Sequence, residues 1–226
     1  MSRYTEISQF RKPFDIVTNW IYYPIASYLC ALLSYSAITP NQITLLAILS
    51  ELCATYFIIY RFESNLILIV ILLQFGWLFD LMDGMMARYK KMGFYHPSQP
   101  SNKGYYLDAV SDHILKFIIL GALTYQLSLQ NKSGLLIGLI AIIIHGITQT
   151  EHTLSKMILQ SKTKSVLRTK SKGTILNHMA HMMNNIYLFY LVFILINRID
   201  LLLITFAGAE LILCTKRVFQ FWLSES

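Results

Sequence analysis

Long runs of apolar residues, separated by short polar segments, dominate the hydropathy pattern of this chain. Several of these runs reach the roughly 20 residues that a helix needs to cross the hydrocarbon core of a bilayer. The pattern predicts six membrane-spanning helices, over residues 41–61, 65–88, 104–128, 133–155, 176–197 and 200–218. Pro40, with Thr39 or Asn41 as a capping residue, is typical of a helix start, so the first span is expected to begin there.

The apolar stretch 13–35 has a different pattern and does not read as a span. Asp15, Asn19 and Pro24 interrupt it, and it is rich in Trp and Tyr, which favour the headgroup region of a membrane. We expect one or two interfacial helices here. The chain is thus predicted to be an all-α integral membrane protein, with an N-terminal segment at 1–38 and a six-span domain at 39–226.

Composition agrees with a membrane protein. Hydrophobic residues make up 55% of the chain and charged residues only 14%, which lies outside the range of ordinary soluble domains. The net charge of +7 would be compatible with nucleic-acid binding in a soluble protein, but in a membrane protein the distribution of charge matters more. We therefore expect no nucleic-acid partner. The odd number of cysteines, without metal-type spacing, favours buried apolar roles over disulfides.

The distribution of Lys and Arg predicts the orientation in the membrane. Basic residues crowd the N-terminus, the segments 88–103 and 156–172, and the pair at 216–217, whereas the opposite loops carry only Arg61, Lys132 and Arg198. Cytoplasmic loops of membrane proteins are enriched in positive charge, so the crowded segments are expected to face the cytoplasm. The protein is predicted to lie in the cell (inner) membrane with its N-terminus inside.

Two pairs of carboxylates mark cytoplasmic ends of neighbouring spans. Asp80 and Asp83 close the second span, and Asp108 and Asp112 open the third. Positions i,i+3 and i,i+4 share a helix face, so two helices that meet at these ends bring four carboxylates together. Such groups repel one another, and their all-oxygen set suits hard divalent cations. The spacing therefore predicts a magnesium or manganese site.

The same residues carry a resemblance to a known family. The pattern D-x-x-D-G-x-x-A-R, a spacer, and G-x-x-x-D-x-x-x-D is met by Asp80, Asp83, Gly84, Ala87, Arg88, Gly104, Asp108 and Asp112. A second motif, Pro-Asn-x-Ile-Thr, occupies residues 40–44. The chain resembles the CDP-alcohol phosphotransferase (CDP-alcohol phosphatidyltransferase) family, with motifs that span roughly residues 40–125. The spacer Tyr89–Lys103 is longer than the family norm, and its Gly and Pro residues predict a loop.

The resemblance implies a reaction and a cofactor. Members of this family transfer the phosphoryl-alcohol part of a CDP-alcohol to a hydroxyl group and release CMP, a reaction that two divalent cations, Mg²⁺ or Mn²⁺, assist. The resemblance assigns Asp80, Asp83 and Asp108 to metal binding. It assigns Asp112 to the second metal and to the role of general base. Asp112 lies one helical turn beyond Asp108, which suits a base for the acceptor hydroxyl.

Small residues beside the carboxylates suggest a nucleotide site. Gly84 and Ala87 lie one turn apart, and the lack of bulk there lets a ring or phosphate approach the helix, as Gly104 does at a helix N-terminus. The resemblance places cytidine diphosphate against a set made up of Asp83, Gly84, Ala87, Arg88 and Gly104, with Asn41 and Thr44 completing the pocket from the first span. Arg88 is expected near phosphate or paired with a carboxylate. Close helix packing is the alternative explanation for Gly84 and Ala87.

A basic segment between the fourth and fifth spans predicts an acceptor site. It contains Lys156, Lys162, Lys164, Arg168, Lys170 and Lys172. Such a field gathers phosphorylated polyols, and we expect the three residues nearest the fifth span, Arg168, Lys170 and Lys172, to bind an acceptor phosphate. Membrane orientation and attraction to anionic lipid are the alternative explanation.

The leading hypothesis is a membrane enzyme of phospholipid biosynthesis. The resemblance favours a CDP-diacylglycerol-like donor, a small polar alcohol or polyol phosphate as acceptor, and a homodimer. Within the family, the alternatives are an unphosphorylated alcohol or a different CDP-activated headgroup. From another class, a cation transporter also carries acidic residues in its spans, distributed through the membrane depth. Glu51 and Lys116, ionisable residues inside predicted spans, are either functional or paired internally.

Overall fold

The structure is a computed structural model that describes residues 2–12, 14–162 and 185–225. All regular secondary structure in these ranges is helical, which confirms the predicted all-α class. The helices are α1 (Arg3–Ser8), α2 (Tyr23–Leu33), α3 (Pro40–Arg61), α4 (Leu66–Tyr89), α5 (Lys103–Gln130), α6 (Gly134–Lys162), α7 (Ile186–Phe189) and α8 (Ile199–Glu225). Short π-helical turns at Thr18–Tyr22 and Tyr190–Ile194 adjoin α2 and α7, and a 3₁₀ turn covers Gly93–Tyr95.

The observed helices agree with the hydropathy pattern. α3, α4 and α5 begin and end within two residues of the predicted first three spans, whereas α6 and α8 continue beyond the predicted ends of the fourth and sixth. The predicted span 176–197 falls partly outside the described residues. Within the described ranges, three segments are long and apolar enough to cross a membrane, namely Pro40–Arg61, Leu66–Tyr95 and Gly134–Ser155. The count of six spans stays a prediction.

A capping box fixes the start of α3. The Thr39 hydroxyl accepts a hydrogen bond from the backbone N–H of Gln42 at 3.4 Å, and the Gln42 side chain accepts one from the N–H of Thr39 at 2.8 Å. Pro40 occupies the first helical turn, where its missing N–H costs nothing. Thr39 is therefore the cap, and the side chain of Asn41 is available for contacts with another helix.

Helix α3 lies at the centre of the packing, because it contacts both α4 and α5, while α6 contacts α5 and α8. It approaches α4 closely at Gly76, where an added Cβ would lie 2.5 Å from Cγ of Glu51. The buried Glu51 carboxylate accepts a hydrogen bond from the Tyr187 hydroxyl at 2.6 Å. Internal pairing thus accounts for this carboxylate inside a predicted span.

The N-terminal segment is helical across residues 16–33, as expected for the stretch 13–35. Pro24 cannot donate a hydrogen bond to the preceding turn, and the helix continues through this point with a π-helical turn at Thr18–Tyr22. Trp20 and Tyr35 are 79% and 74% exposed, which leaves an aromatic surface of the kind that favours a headgroup region. Placement of this segment at a membrane interface stays a prediction.

The same segment packs onto α4. Ile7, Ala26 and Cys30 are fully buried in the hydrophobic core that the long helices share. The Cys30 thiol donates to the backbone carbonyl of Met82 at 3.6 Å. The N-terminal helices therefore support the C-terminal half of α4, on which two of the four motif carboxylates lie.

Candidate active site

Helices α4 and α5 bring three of the four carboxylates together. Asp80 lies in the second half of α4, and Asp108 and Asp112 lie in the first turns of α5. One carboxylate oxygen from each of the three lies within 4.8 Å of the others. All three side chains are partly exposed, so they line a site that ligands can reach. The two helices meet at their charged ends, as the residue spacing predicts.

Asp83 lies beside this group and has a different environment. It is only 5% exposed and accepts a hydrogen bond from the Thr44 hydroxyl at 2.5 Å. A buried carboxylate is costly unless hydrogen bonds satisfy it, so Thr44 of α3 holds Asp83 in place.

Lys116 supplies a positive charge next to the cluster. Its Nζ lies 3.4 Å from Oδ2 of Asp112, four residues earlier on α5. The two side chains are 21% and 36% exposed, so solvent partly screens this ion pair. The ionisable Lys116 is therefore paired internally, and the residue it pairs with is the predicted general base.

The donor set fits hard divalent cations. Asp80, Asp108 and Asp112 present only oxygen atoms at close range, with no competing thiolate or imidazole in the group. In the part of the chain that the structure describes, Lys116 is the one Lys or Arg within ion-pair distance of these carboxylates. Their negative charge therefore exceeds the positive charge beside them, which favours cation binding.

Asn41 and Gly104 join the beginnings of α3 and α5. A Cβ added at Gly104 would lie 2.9 Å from Oδ1 of Asn41, a distance that real side chains essentially never adopt. Glycine thus allows the Asn41 amide to lie against the first turn of α5. Together with Thr44, this contact places both predicted residues of the first span next to the carboxylates.

The guanidinium group of Arg88 lies over the helix face at Gly84. The three atoms nearest to an added Cβ all belong to the guanidinium group of Arg88, the closest at 3.4 Å. No neighbouring helix of the described chain supplies them, so close helix packing does not explain this glycine. Ala87, the second small residue, lies partly buried in the following turn, where its carbonyl accepts from the N–H of Met92 at 2.9 Å.

Arg88 bonds to the N-terminal segment. Its Nε donates to the backbone carbonyl of Phe10 at 3.0 Å. Among the described residues it forms no ion pair with a carboxylate, which was one of its two expected roles. Its terminal nitrogens instead lie over Gly84, where they face the space beside the helix.

The long spacer after α4 is a loop, as its composition predicts. Residues 90–102 contain only the short 3₁₀ turn at Gly93–Tyr95. Lys90 ties the loop to the link between α2 and α3, because its Nζ donates to the carbonyls of Ser36 at 3.0 Å and Ile38 at 2.7 Å. The predicted acceptor residues Arg168, Lys170 and Lys172 lie outside the described residues.

A polar cavity of about 500 Å³ adjoins the carboxylates. Asp108 and Asp112 form one side of it, and residues of α6 and α8, including the buried pair His145 and Glu210, form the other. The sequence analysis did not identify this pair. The available signal was two ionisable residues inside predicted apolar spans, which are rare there and commonly functional.

Comparison with known proteins identifies the family. The sequence model of the CDP-alcohol phosphatidyltransferases matches residues 37–218, a longer region than the motifs alone cover. The crystal structure of the phosphatidylinositol phosphate synthase of Mycobacterium tuberculosis, with CDP-DAG bound, superposes with a TM-score of 0.59 at 16% identity, over 88% of this chain and 94% of that one. This likeness concerns the fold. No curated protein sequence matches the chain significantly.

Family membership also decides between enzyme and transporter. The CDP-alcohol phosphatidyltransferases are transferases that use divalent cations, and the acidic cluster expected of them is present here. The enzyme hypothesis is thereby confirmed over the transporter alternative, and the chain belongs to the CDP-alcohol phosphatidyltransferase family.

Proposed function

We propose that this protein transfers a phosphatidyl group from CDP-diacylglycerol to a hydroxyl of a small polar acceptor and releases CMP. The observation that carries the proposal is the cluster of Asp80, Asp108 and Asp112 oxygens within 4.8 Å of one another. The helix face at Gly84 lies one turn from Asp80, and the polar cavity is lined by Asp108 and Asp112. A nucleotide donor and a polar acceptor thus each have a place next to the same carboxylates. The CDP-DAG bound to the mycobacterial synthase supports this donor class.

We propose that two divalent cations, Mg²⁺ or Mn²⁺, bind at Asp80, Asp83, Asp108 and Asp112. When bound, such ions neutralise the diphosphate oxygens and stabilise the charge that develops on the leaving CMP. The chain holds these carboxylates in position by two hydrogen-bonded contacts, from Thr44 to Asp83 and from Lys116 to Asp112. Both contacts come from rigid helices, which suits a site that must keep its geometry.

Asp112 is proposed to take the proton from the acceptor hydroxyl. The acceptor oxygen then forms a bond to the phosphorus that carries the diacylglycerol, and the bond from that phosphorus to the bridging oxygen breaks. CMP leaves with the bridging oxygen and its electron pair. Asp112 borders the cavity and is partly exposed, so an arriving hydroxyl can reach it.

The nucleotide is proposed to bind along α4, against Gly84 and Ala87. Arg88 faces this space with nitrogens that remain available for phosphate, since its Nε alone bonds to Phe10. The pocket is completed by Asn41 and Thr44 of α3, Asp83 of α4 and Gly104 at the start of α5. The atoms nearest to an added Cβ at Gly84 come from Arg88 and not from a neighbouring helix, which supports this arrangement over the packing explanation.

The setting of this chemistry is proposed to be the cytoplasmic face of the cell membrane. Six spans, an N-terminal interfacial segment and a homodimer fit the family and the distribution of Lys and Arg. The acceptor enters from the cytoplasm into the cavity, and Arg168, Lys170 and Lys172 remain candidates for binding an acceptor phosphate.

A direct assay tests the function. Purified protein in lipid is incubated with CDP-diacylglycerol and, separately, glycerol phosphate, inositol phosphate, inositol or serine, and CMP and the lipid product are measured. We expect CMP and product in equal amounts with one acceptor class. Chelation of divalent cations is expected to abolish the reaction, and Mg²⁺ or Mn²⁺ to restore it. Release of CMP in excess chelator after stripping, or no transfer with any acceptor, contradicts the proposal.

A further inference from the structure

The polar cavity contains a second cluster of hydrogen-bonding groups, away from the carboxylates that react. His145 lies in the middle of α6 and Glu210 in the middle of α8, and both line the cavity. They are 1% and 3% exposed. An ionisable pair this deep inside apolar helices is costly to bury, so its presence requires an explanation.

Glu210 fixes the orientation of the His145 ring. Nδ1 of His145 lies 2.9 Å from Oε1 and 3.0 Å from Oε2 of the Glu210 carboxylate. The hydroxyl of Thr148, one turn along α6, donates to the same carboxylate at 2.8 Å. An ionised carboxylate only accepts hydrogen bonds, so we assign the hydrogen of a neutral ring to Nδ1. Nε2 is then an acceptor.

That acceptor has no partner among the described residues. Nε2 of His145 is buried and receives no hydrogen bond from any described residue. The aromatic rings of Phe117 and Phe206 pack against the imidazole, with centroids at 5.2 and 5.7 Å, and restrict its rotation. A buried polar atom without a partner is unfavourable, and a held ring with one unused acceptor beside a cavity is typical of a ligand contact.

The two basic side chains that line the cavity, Lys116 and Arg217, have partners of their own. Arg217 donates through Nε to Glu151 at 2.6 Å, and Lys116 pairs with Asp112 at 3.4 Å. The neighbouring lining residues Thr148, Gln149 and Thr153 are uncharged hydrogen-bonding groups. This chemistry suits a ligand with several hydroxyl groups. The cavity volume of about 500 Å³ lies in the usual range of roughly 300–1,000 Å³ for small-molecule sites.

We infer that His145, held by Glu210, accepts a hydrogen bond from a hydroxyl of a polyol acceptor and so selects hydroxyl-rich acceptors. The inference rests on the proposed function, because the polyol must present another hydroxyl to Asp112 in the same cavity. Glu210 acts as a positioning residue, since it touches the ring and not the ligand. A phosphate on the polyol is compatible with this contact and is bound by other residues.

Two substitutions at one position separate the role of Nε2 from that of the ring. His145→Asn keeps an amide near the Nδ1 position, where it can still bond to Glu210, but has no atom at the Nε2 position. His145→Gln reaches the Nε2 position with its amide. We expect the Asn variant to raise the acceptor KM by about 3- to 10-fold, with the CDP-diacylglycerol KM unchanged, and the Gln variant to recover part of the loss.

Deoxy analogues of the preferred acceptor identify the hydroxyl. For the wild type, one monodeoxy analogue should have an acceptor KM raised by about the same factor as the Asn substitution causes. For the Asn variant, the KM of that analogue should equal the KM of the full acceptor. Thr150→Val, on the opposite side of α6 with its hydroxyl bonded to the carbonyl of Gly146, serves as the matched control. Its acceptor KM should equal that of the wild type.

Other results overturn the inference. Equal acceptor KM values in the wild type and both His145 variants exclude a contact through Nε2. Equal losses for donor and acceptor indicate a structural role only. A wild type that prefers serine excludes the polyol class. These results differ from failure of the proposed function, in which the wild type releases no CMP with any acceptor and the inference falls with it.

Discussion

Residue scale

At the scale of single residues, the carboxylates of the site differ in what holds them. Asp83 is buried and hydrogen-bonded to Thr44, so its position is fixed by a neighbouring helix. Asp112 is partly exposed, paired with Lys116 and adjacent to the cavity. One environment suits a fixed ligand, and the other suits a group that exchanges a proton with an arriving substrate.

The first prediction follows from this difference. Asp112→Asn should slow transfer by about 10²- to 10⁴-fold, because the amide cannot take the proton of the acceptor hydroxyl. Binding of CDP-diacylglycerol in the presence of Mg²⁺ should persist, since three carboxylates remain. Asp83→Asn should weaken that binding as well. Single-turnover CMP release and equilibrium donor binding measure the two effects, and a near wild-type rate for Asp112→Asn would refute the assignment.

A second prediction concerns the space beside α4. Gly84→Leu should weaken donor binding by about 10²-fold while the protein stays folded, because its side chain would enter the face where the nucleotide is proposed to lie. Gly121→Leu is the matched control. Gly121 lies on another long helix, and no described atom lies within 4 Å of a Cβ added there. Donor affinity is compared in folded preparations of both variants. Equal affinity for the Gly84 variant and the control would contradict the nucleotide site.

Which of these features the sequence predicts depends on distance along the chain. The Asp pairs were predicted because i,i+3 and i,i+4 spacing alone puts them on one helix face. The bond between Thr44 and Asp83 connects residues far apart in sequence, and only helix packing brings them together. The same holds for His145 and Glu210, whose partnership leaves no local signal.

Element scale

At the scale of elements, α3 organises the site although it carries none of the four carboxylates. It packs against α4 and α5. In its first two turns, Thr44 contacts Asp83 of α4 and Asn41 contacts Gly104 of α5. The capping box at Thr39 sets where this helix begins and hence which residues face its neighbours. The Pro-Asn-x-Ile-Thr motif thus acts through helix register as well as through its own side chains.

The third prediction tests this supporting role. Thr44→Val removes the hydroxyl that donates to the buried Asp83, and hydrogen bonds to charged groups contribute about 1.5–3 kcal/mol. We expect the Mg²⁺ concentration required for half-maximal transfer to rise by roughly 10- to 100-fold. Titration of activity with Mg²⁺ measures this shift.

Thr55→Val is the control for that experiment. Thr55 is also buried on α3, but its hydroxyl donates to the backbone carbonyl of Glu51, away from the carboxylate cluster. Its Mg²⁺ requirement should match that of the wild type, even if both variants unfold at a lower temperature. The same shift in both variants would show that α3 stability, and not the bond to Asp83, is responsible.

The boundaries of helices were predictable because they depend on local chemistry. Apolar runs and Pro40 predicted the start of α3, and the Gly and Pro residues after α4 predicted its loop. The close approach of α3 to α4 at Gly76 was not predictable, because a glycine within a helix has the same local pattern whether or not a neighbour lies over it. The hydrogen bond between Tyr187 and Glu51 was not predictable either, because it joins residues far apart in the sequence.

Whole-molecule scale

At the scale of the whole molecule, the N-terminal segment and the long helices form one packed unit. Ile7 and Ala26 share a core with residues of α3 and α4, and Arg88 of α4 bonds to the carbonyl of Phe10. The segment therefore supports the end of α4 at which the nucleotide is proposed to bind. Its exposed aromatic residues, such as Trp20, are consistent with contact to lipid headgroups.

The fourth prediction concerns the orientation of this unit. The loop 90–102 should face the cytoplasm and the turn between α5 and α6 the opposite side, because basic residues are concentrated on the carboxylate side. Single cysteines introduced at exposed positions, Ser98→Cys and Ser133→Cys, report the side by reaction with a membrane-impermeant maleimide. We expect Ser133→Cys to react in intact cells, and Ser98→Cys to react only in inside-out vesicles.

The native cysteines are not expected to react with the maleimide once Cys53 is replaced. Cys53 is exposed and is replaced by Ser, whereas Cys30 and Cys214 are buried. Burial raises the pKa of the Cys30 thiol to about 12, so it stays protonated and unreactive at neutral pH. The Cys53→Ser protein should therefore show no labelling on either side. Reaction of Ser98→Cys in intact cells would place the four carboxylates outside, away from cytoplasmic nucleotides, and would refute the proposed orientation.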